Sequence, residues 1–103
     1  MLAVMKTNDQ RGVTLSEIEK PAPAEDEVLV RVEAVSICGS DLHMYESLRG
    51  YEWITLPLVL GHEFCGVVES SGGRAGERLV GQRVLINPYV PCGSCYNCRR
   101  GNP

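Results

Sequence analysis

The strongest strand signal in the chain is the stretch VLVRVEAV, residues 28–35. Its valines recur at alternate positions, and the charged residues Arg31 and Glu33 lie between them. Successive side chains of a β-strand point to opposite faces of the sheet, so this pattern predicts a strand with one buried face and one mostly solvated face. It is the best-defined strand of the sequence, and the remaining elements are placed around it.

Shorter strand patterns surround this stretch. Residues 2–5 and 13–18 flank a polar turn, and residues 64–69 and 83–86 form further strand candidates. The chain contains 11 Gly and 6 Pro, which favours many turns and short strands. Helical signals are confined to one short turn that Ser40 or Asp41 is suited to cap. We therefore expect a mainly β fold, an antiparallel barrel or sandwich with Gly and Pro at its corners.

Composition excludes several classes of function. The 103 residues suffice for one domain, residues 1–103, with a single core. Ten basic and thirteen acidic residues give a net charge of −3, which argues against a nucleic-acid partner. Apolar stretches fall far short of the ~20 residues that span a bilayer, and the N-terminus lacks a secretion signal. These features predict a cytoplasmic protein with no membrane partner.

Three of the five cysteines, Cys92, Cys95 and Cys98, lie within seven residues. An odd number of cysteines cannot pair completely, and clustered thiols in a reducing compartment are typical of metal ligands. Three thiolates are one short of a closed tetrahedral zinc site. Two alternatives stay open. The cysteines are free thiols, or they belong to a ferredoxin-like run in which Asn102 stands where the fourth cysteine is required.

A second, dispersed group contains Cys38, His43, His62, Glu63 and Cys65. Thiolate, imidazole and carboxylate ligands together suit zinc, and a site with three protein ligands leaves a position open for chemistry. Spacing alone does not show that these residues meet, because Cys38 and His62 are 24 positions apart. The residues by themselves favour neither a metal site nor ordinary polar roles.

Three segments together resemble a known family. The segment GHEFCG at residues 61–66, followed by Gly72, matches the G-H-E-x2-G-x5-G signature of zinc-dependent medium-chain alcohol dehydrogenases. The segment CGSDLH at residues 38–43 is similar to their first zinc-binding segment, and the cysteine cluster is similar to their structural-zinc lobe. The chain thus resembles their N-terminal catalytic domain, in the sorbitol and threonine dehydrogenase branch. The resemblance implies a GroES-like, partly open β-barrel with short helical turns and a cysteine-rich structural-zinc loop.

The resemblance also implies roles for individual residues. Cys38 and His62 correspond to ligands of the catalytic zinc, and Glu63 corresponds to a carboxylate that binds this zinc directly or exchanges with water. The family's zinc polarises the alcohol oxygen. Ser40 matches the hydroxyl that hydrogen-bonds this oxygen, and His43 matches the base that passes the proton outward through the nicotinamide ribose, which also makes it a cofactor-binding residue. Ser40, His43 and Glu63 are the expected catalytic residues.

Roles are also predicted for several further residues. Cys92, Cys95 and Cys98 correspond to ligands of a structural zinc. Asp41 either orients His62 or caps the helical turn, with the first role favoured, whereas Cys65 is expected to be a small buried thiol. Three apolar or aromatic residues are candidates for a substrate pocket, although a core role is the more ordinary one: Tyr45, Trp53 and Leu56.

The expected activity is hydride transfer between a small alcohol or polyol and NAD or NADP, by an intact enzyme that is a homo-oligomer. The chain lacks the family's Rossmann cofactor domain, and the position of the fourth cysteine of the lobe falls beyond Pro103. We therefore expect a truncated catalytic domain that is inactive alone. The alternatives are a stand-alone GroES-like zinc-binding or interaction module without catalysis, and an electron carrier.

Overall fold

The structure, a computed structural model, describes residues 1–102 except for the side chain of Ala75. Pro103, the last residue of the expected domain and of the ferredoxin-like run, lies outside the described residues. The elements in chain order are β1 (Leu2–Lys6), β2 (Thr14–Glu17), β3 (Val28–Ser36), α1 (Gly39–Glu46), β4 (Leu58–Val59), β5 (Glu63–Ser71), α2 (Arg74–Glu77), β6 (Arg83–Leu85) and α3 (Tyr96–Arg99).

The strands form two antiparallel sheets of three strands each, in the orders β2-β1-β4 and β3-β5-β6. In the first sheet, β1 pairs with β2 from Leu2 opposite Glu17 onward. In the second, the long ladder between β3 and β5 runs from Val28 opposite Ser71 to Ser36 opposite Glu63. The two sheets do not join into a closed barrel within residues 1–102, so the expected mainly β, partly open architecture is confirmed.

The predicted strands are all present, but the helical content was underestimated. The region from Cys38 contains a helix of eight residues instead of a single turn, and a short α2 follows Gly72 and Gly73, where the sequence showed no helical signal. The N-cap of α1 is Cys38, not Ser40 or Asp41. Its local sequence carries only a weak helical signal, since its apolar residues do not line one face.

The expectation that one face of β3 is buried is wrong. Val32 and Val35 are 51% and 58% exposed, and only the first residues of the strand are half-buried. The register shifts between Leu29 and Val30 and again between Val32 and Ala34. Because residues 31–36 are exposed on both faces of the strand, no described element covers this part of the sheet. The most deeply buried side chain lies on β5 instead, at Val68, which is 1% exposed.

A buried lysine ties the turn between β1 and β2 to the end of α1. Lys6 is only 4% exposed, and its ammonium group donates to the carbonyls of Gln10 and Gly12 and, at 2.8 Å, to the hydroxyl of Ser47. The Gly12 N–H also donates to the Tyr45 carbonyl at 2.7 Å. These bonds fix the C-terminal end of the helix that begins beside Cys38.

Replacing Lys6 with methionine is expected to lower the free energy of unfolding by about 2 kcal/mol, because a buried charged donor with three acceptors is removed. Urea denaturation monitored by circular dichroism measures the change. Lys20→Met is the matched control, since Lys20 forms an exposed ion pair with Glu69 at 2.7 Å. Such pairs contribute about 0–1 kcal/mol. Equal stabilities of the two variants would contradict the structural role of Lys6.

None of the described helices is both long and apolar enough to cross a membrane.

Candidate metal centres

The ladder between β3 and β5 brings together Cys38 and His62, which are far apart in the sequence. Its last pair is Ser36 opposite Glu63, so Cys38 and His62 lie just beyond the same end of the two strands. One ligand atom each of Cys38, His62 and Glu63 lies within 4.8 Å of the other two. We call this group the Cys38 site. An antiparallel pairing thus closes the separation in sequence, because both chain segments meet at one sheet edge.

Asp41 connects the start of α1 with His62. Its Oδ2 accepts a hydrogen bond from the Cys38 backbone N–H at 2.9 Å. Its Oδ1 lies 3.5 Å from His62 Nδ1 and has no hydrogen-bond partner among the described residues, although the side chain is nearly fully buried. Asp41 therefore lies both next to the start of α1 and next to the imidazole of His62, so the two predicted roles do not exclude each other.

The second imidazole nitrogen of His62 faces Ser40. The Ser40 hydroxyl lies 3.3 Å from His62 Nε2. With Nδ1 next to the buried carboxylate of Asp41, the tautomer that carries its proton on Nδ1 is favoured, which leaves Nε2 as the atom with a free lone pair. The imidazole is thereby oriented with Nε2 available to a metal ion.

The ionisation of the two acidic ligands, Cys38 and Glu63, suits a cation. Hydrogen bonds from the Ser40 backbone N–H and hydroxyl, and then one with His62, lower the pKa of the Cys38 thiol. The Ser36 hydroxyl, followed by Cys38, lowers the pKa of Glu63, while a hydrogen bond with Cys38 raises the pKa of His62. Anionic sulfur and carboxylate groups beside an imidazole are ligands that zinc prefers.

His43 lies outside the three-ligand group. It is exposed on α1, and its Nδ1 is 3.5 Å from the Tyr51 hydroxyl, with the two rings in an edge-to-face arrangement at a centroid distance of 5.9 Å. Cys65, expected as a buried thiol, is half-buried on β5 and lines the cleft beside the Cys38 site. No pattern in the sequence indicates the Tyr51 contact, because it depends on how the loop after α1 folds back.

The cleft beside the Cys38 site has a volume of about 800 Å³. Its apolar lining comes mainly from β3, β5 and the segment after β6: Val35, Phe64, Leu85, Ile86, Pro88 and Tyr89. The three residues considered for a substrate pocket lie elsewhere in the described chain. Tyr45 lines a separate apolar groove, Leu56 lines a cleft next to Lys6, and Trp53 is 77% exposed, so its alternative core role is wrong.

The cysteine cluster forms a second candidate centre. Sulfur atoms of Cys92, Cys95 and Cys98 lie within 4.8 Å of one another, with 3.8 Å between those of Cys92 and Cys98. Gly93, at φ +71°, turns the backbone so that the Cys95 N–H points at the Cys92 sulfur at 3.4 Å. The N–H groups of Ser94 and Cys95 lower the pKa of Cys92 to about 6. Convergent thiolates of this kind fit a zinc ion.

Comparison with known proteins agrees with this geometry. The sequence model of the family described as "Alcohol dehydrogenase GroES-like domain" matches residues 24–103. The chain belongs to this family. Its sequence is 45% identical over 105 residues to L-threonine 3-dehydrogenase from Pyrococcus abyssi, a match that covers 98% of this chain and 29% of that protein. The GroES-like chain therefore spans less than a third of the length of this curated relative.

Solved structures show the same architecture. A short chain alcohol dehydrogenase from Escherichia coli CFT073, complexed with NADH, is 38% identical in sequence and has a TM-score of 0.83. The match covers 99% of this GroES-like chain and 28% of the E. coli chain. A protein assigned as a zinc-binding dehydrogenase from Sinorhizobium meliloti 1021, bound to NADP, is 35% identical in sequence and has a TM-score of 0.84. This match covers 97% of this chain and 28% of the S. meliloti chain. Both structures share the fold of this chain over nearly its whole length.

Proposed function

We propose that this chain is the zinc-binding catalytic domain, residues 1–103, of an NAD(P)-dependent alcohol dehydrogenase. One observation carries the proposal: the ligand atoms of Cys38, His62 and Glu63 converge at one end of the β3–β5 ladder, beside the hydroxyl of Ser40. The donor set and the buried, unpartnered Oδ1 of Asp41 next to His62 fit a cation better than a purely structural polar cluster.

Cys38, His62 and Glu63 would hold the catalytic zinc, which supplies Lewis acidity toward an alcohol oxygen. The Ser40 hydroxyl lies next to His62 Nε2, the nitrogen that would bind the metal, so it is placed to accept the proton of a bound alcohol. His43, on the next turn of α1, is exposed and would pass this proton to solvent or to the ribose of the cofactor. Cys92, Cys95 and Cys98 would hold the structural zinc.

The substrate would be a small alcohol or polyol, and secondary alcohols are favoured because the L-threonine 3-dehydrogenases oxidise a secondary hydroxyl. NAD or NADP would serve as hydride acceptor, in line with the NADH and NADP bound in the two similar structures. We further propose that the enzyme works in the cytoplasm as a homo-oligomer, without nucleic-acid or membrane partners. The exposed apolar side chains of β3 support the homo-oligomer, and the net charge of −3 argues against a nucleic-acid partner.

Ser40→Ala is expected to reduce kcat by about 100-fold to 10,000-fold, because a group that moves the substrate proton is lost. The protein that carries this chain is assayed for NAD+ or NADP+ reduction with L-threonine, sorbitol and simple secondary alcohols. Ser70→Ala, at the far end of the β3–β5 ladder, is the control and should leave kcat unchanged. A zinc-loaded protein that oxidises none of these alcohols would favour a binding module instead.

A further inference from the structure

Ser36 is not one of the candidate ligands, but its side chain contacts one of them, Glu63, directly. The Ser36 hydroxyl donates to Glu63 Oε2 at 2.7 Å and lies 3.4 Å from the Glu63 carbonyl oxygen. We propose that Ser36 is a positioning residue that holds the Glu63 carboxylate beside Cys38 and His62 and thereby sets how tightly the Cys38 site binds zinc. This inference rests on the proposed function of that site.

The position of Ser36 in the ladder explains why it can act on Glu63. The two residues are directly opposite each other in the last pair between β3 and β5. Ser36 lies on the strand that leads into Cys38, and Glu63 lies on the strand that follows His62. The hydrogen bond therefore links the two chain segments that carry the ligands, at the point where both leave the sheet.

Without this bond, Glu63 has few restraints. The residue is exposed, and a glutamate side chain at a sheet edge samples many rotamers in water. The Ser36 hydroxyl occupies one carboxylate oxygen, Oε2, and thereby restricts the rotation of the group. A ligand that is already oriented loses less conformational entropy when the metal binds, so the hydroxyl should raise the affinity for zinc.

The alternative is that Ser36 only stabilises the end of the ladder. Within residues 1–102 the hydroxyl of Ser36 bonds only to Glu63, and the side chain is exposed, so a substitution removes little packing. Threonine and valine are nearly identical in shape and both suit a strand, but only threonine keeps the hydroxyl. The pair Ser36→Thr and Ser36→Val therefore separates the hydrogen bond from the effect of a larger side chain.

The experiment measures zinc occupancy of the protein in chelator-buffered zinc solutions by mass spectrometry. Cys38→Ser serves as the reference in which only the cysteine cluster binds, so the difference from each variant reports the Cys38 site. Ser36→Val is expected to bind zinc about tenfold more weakly at this site, and Ser36→Thr within about twofold of the unmodified protein. Ser70→Val, opposite Leu29 at the other end of the ladder, is the matched control and should bind as the unmodified protein does.

A second comparison excludes a merely structural role. In a Glu63→Ala background, Ser36→Val is expected to cause no further loss of affinity, because its partner is already absent. Equal affinities of the Ser36→Thr and Ser36→Val variants, or a full additional tenfold loss in the Glu63→Ala background, would overturn the inference. Failure of the proposed function gives a different pattern, namely an unmodified protein that binds no more zinc than Cys38→Ser.

Discussion

Cys38→Ser is expected to remove one zinc ion per chain, with a loss of affinity of more than about 100-fold at its site, while the cysteine cluster keeps its metal. The thiolate is the only sulfur ligand in the group with His62 and Glu63, and serine is a much weaker ligand for zinc. Zinc content after dialysis, measured by mass spectrometry, gives the result directly.

The matched control is Cys65→Ser. Cys65 is a half-buried cysteine that lines the same cleft but does not belong to either group of ligands. Zinc content should therefore stay unchanged in this variant. If Cys38→Ser keeps as much zinc as Cys65→Ser, the assignment of the Cys38 site as a metal centre is contradicted. Loss of zinc from both variants would indicate that general unfolding, not ligand removal, releases the metal.

Gly66→Ala is expected to lower the free energy of unfolding by about 3 kcal/mol. Gly66 is buried in β5, and a Cβ atom there would overlap the carbonyl oxygen of Arg31 and lie 2.9 Å from a methyl group of Val30. A backbone carbonyl in a paired strand cannot move aside as the end of a flexible side chain can, so the β3–β5 ladder itself must shift. Denaturant unfolding with and without zinc measures the loss.

Gly39→Ala is the matched control, because the same substitution at this glycine is not expected to destabilise the fold. Gly39 is the first residue of α1, no atom outside its chain neighbours and its own helix backbone lies within 4 Å of the Cβ that would be added, and alanine is a better helix former. The substitution should leave stability unchanged or raise it by up to about 1 kcal/mol. If Gly66→Ala unfolded at the same denaturant concentration as Gly39→Ala, the close approach of β5 to β3 would be contradicted.

Local sequence patterns were enough to predict five of the six strands in the described residues, whereas the two-residue β4 at Leu58–Val59 was not predicted. Alternating valines, glycine and proline corners and the polar turn after β1 each act over a few residues, and the structure contains every predicted strand. The patterns did not predict the length of α1 or the exposure of β3. Both depend on distant contacts: bonds from the β1–β2 turn hold the end of α1, and no described element packs over residues 31–36 of β3.

The types of metal ligand in the candidate centres could likewise be predicted from the sequence. Cys92, Cys95 and Cys98 are so close in the chain that a tight turn brings their sulfurs together, and the motif around His62 carries the family resemblance. The sequence could not indicate Ser36, because a serine at the end of a strand has no signature until its partner across the ladder is known.

The sequence by itself therefore determined the strand pattern, the family and the chemical nature of the ligands, because these depend on residue types at short spacing. Only the tertiary structure decided that Cys38 meets His62, that both oxygens of Asp41 face the site and that Ser36 holds Glu63. The reason is physical. Pairing of β3 with β5 converts a separation of more than 20 residues along the chain into direct contact, and the register of that pairing is set by the whole sheet.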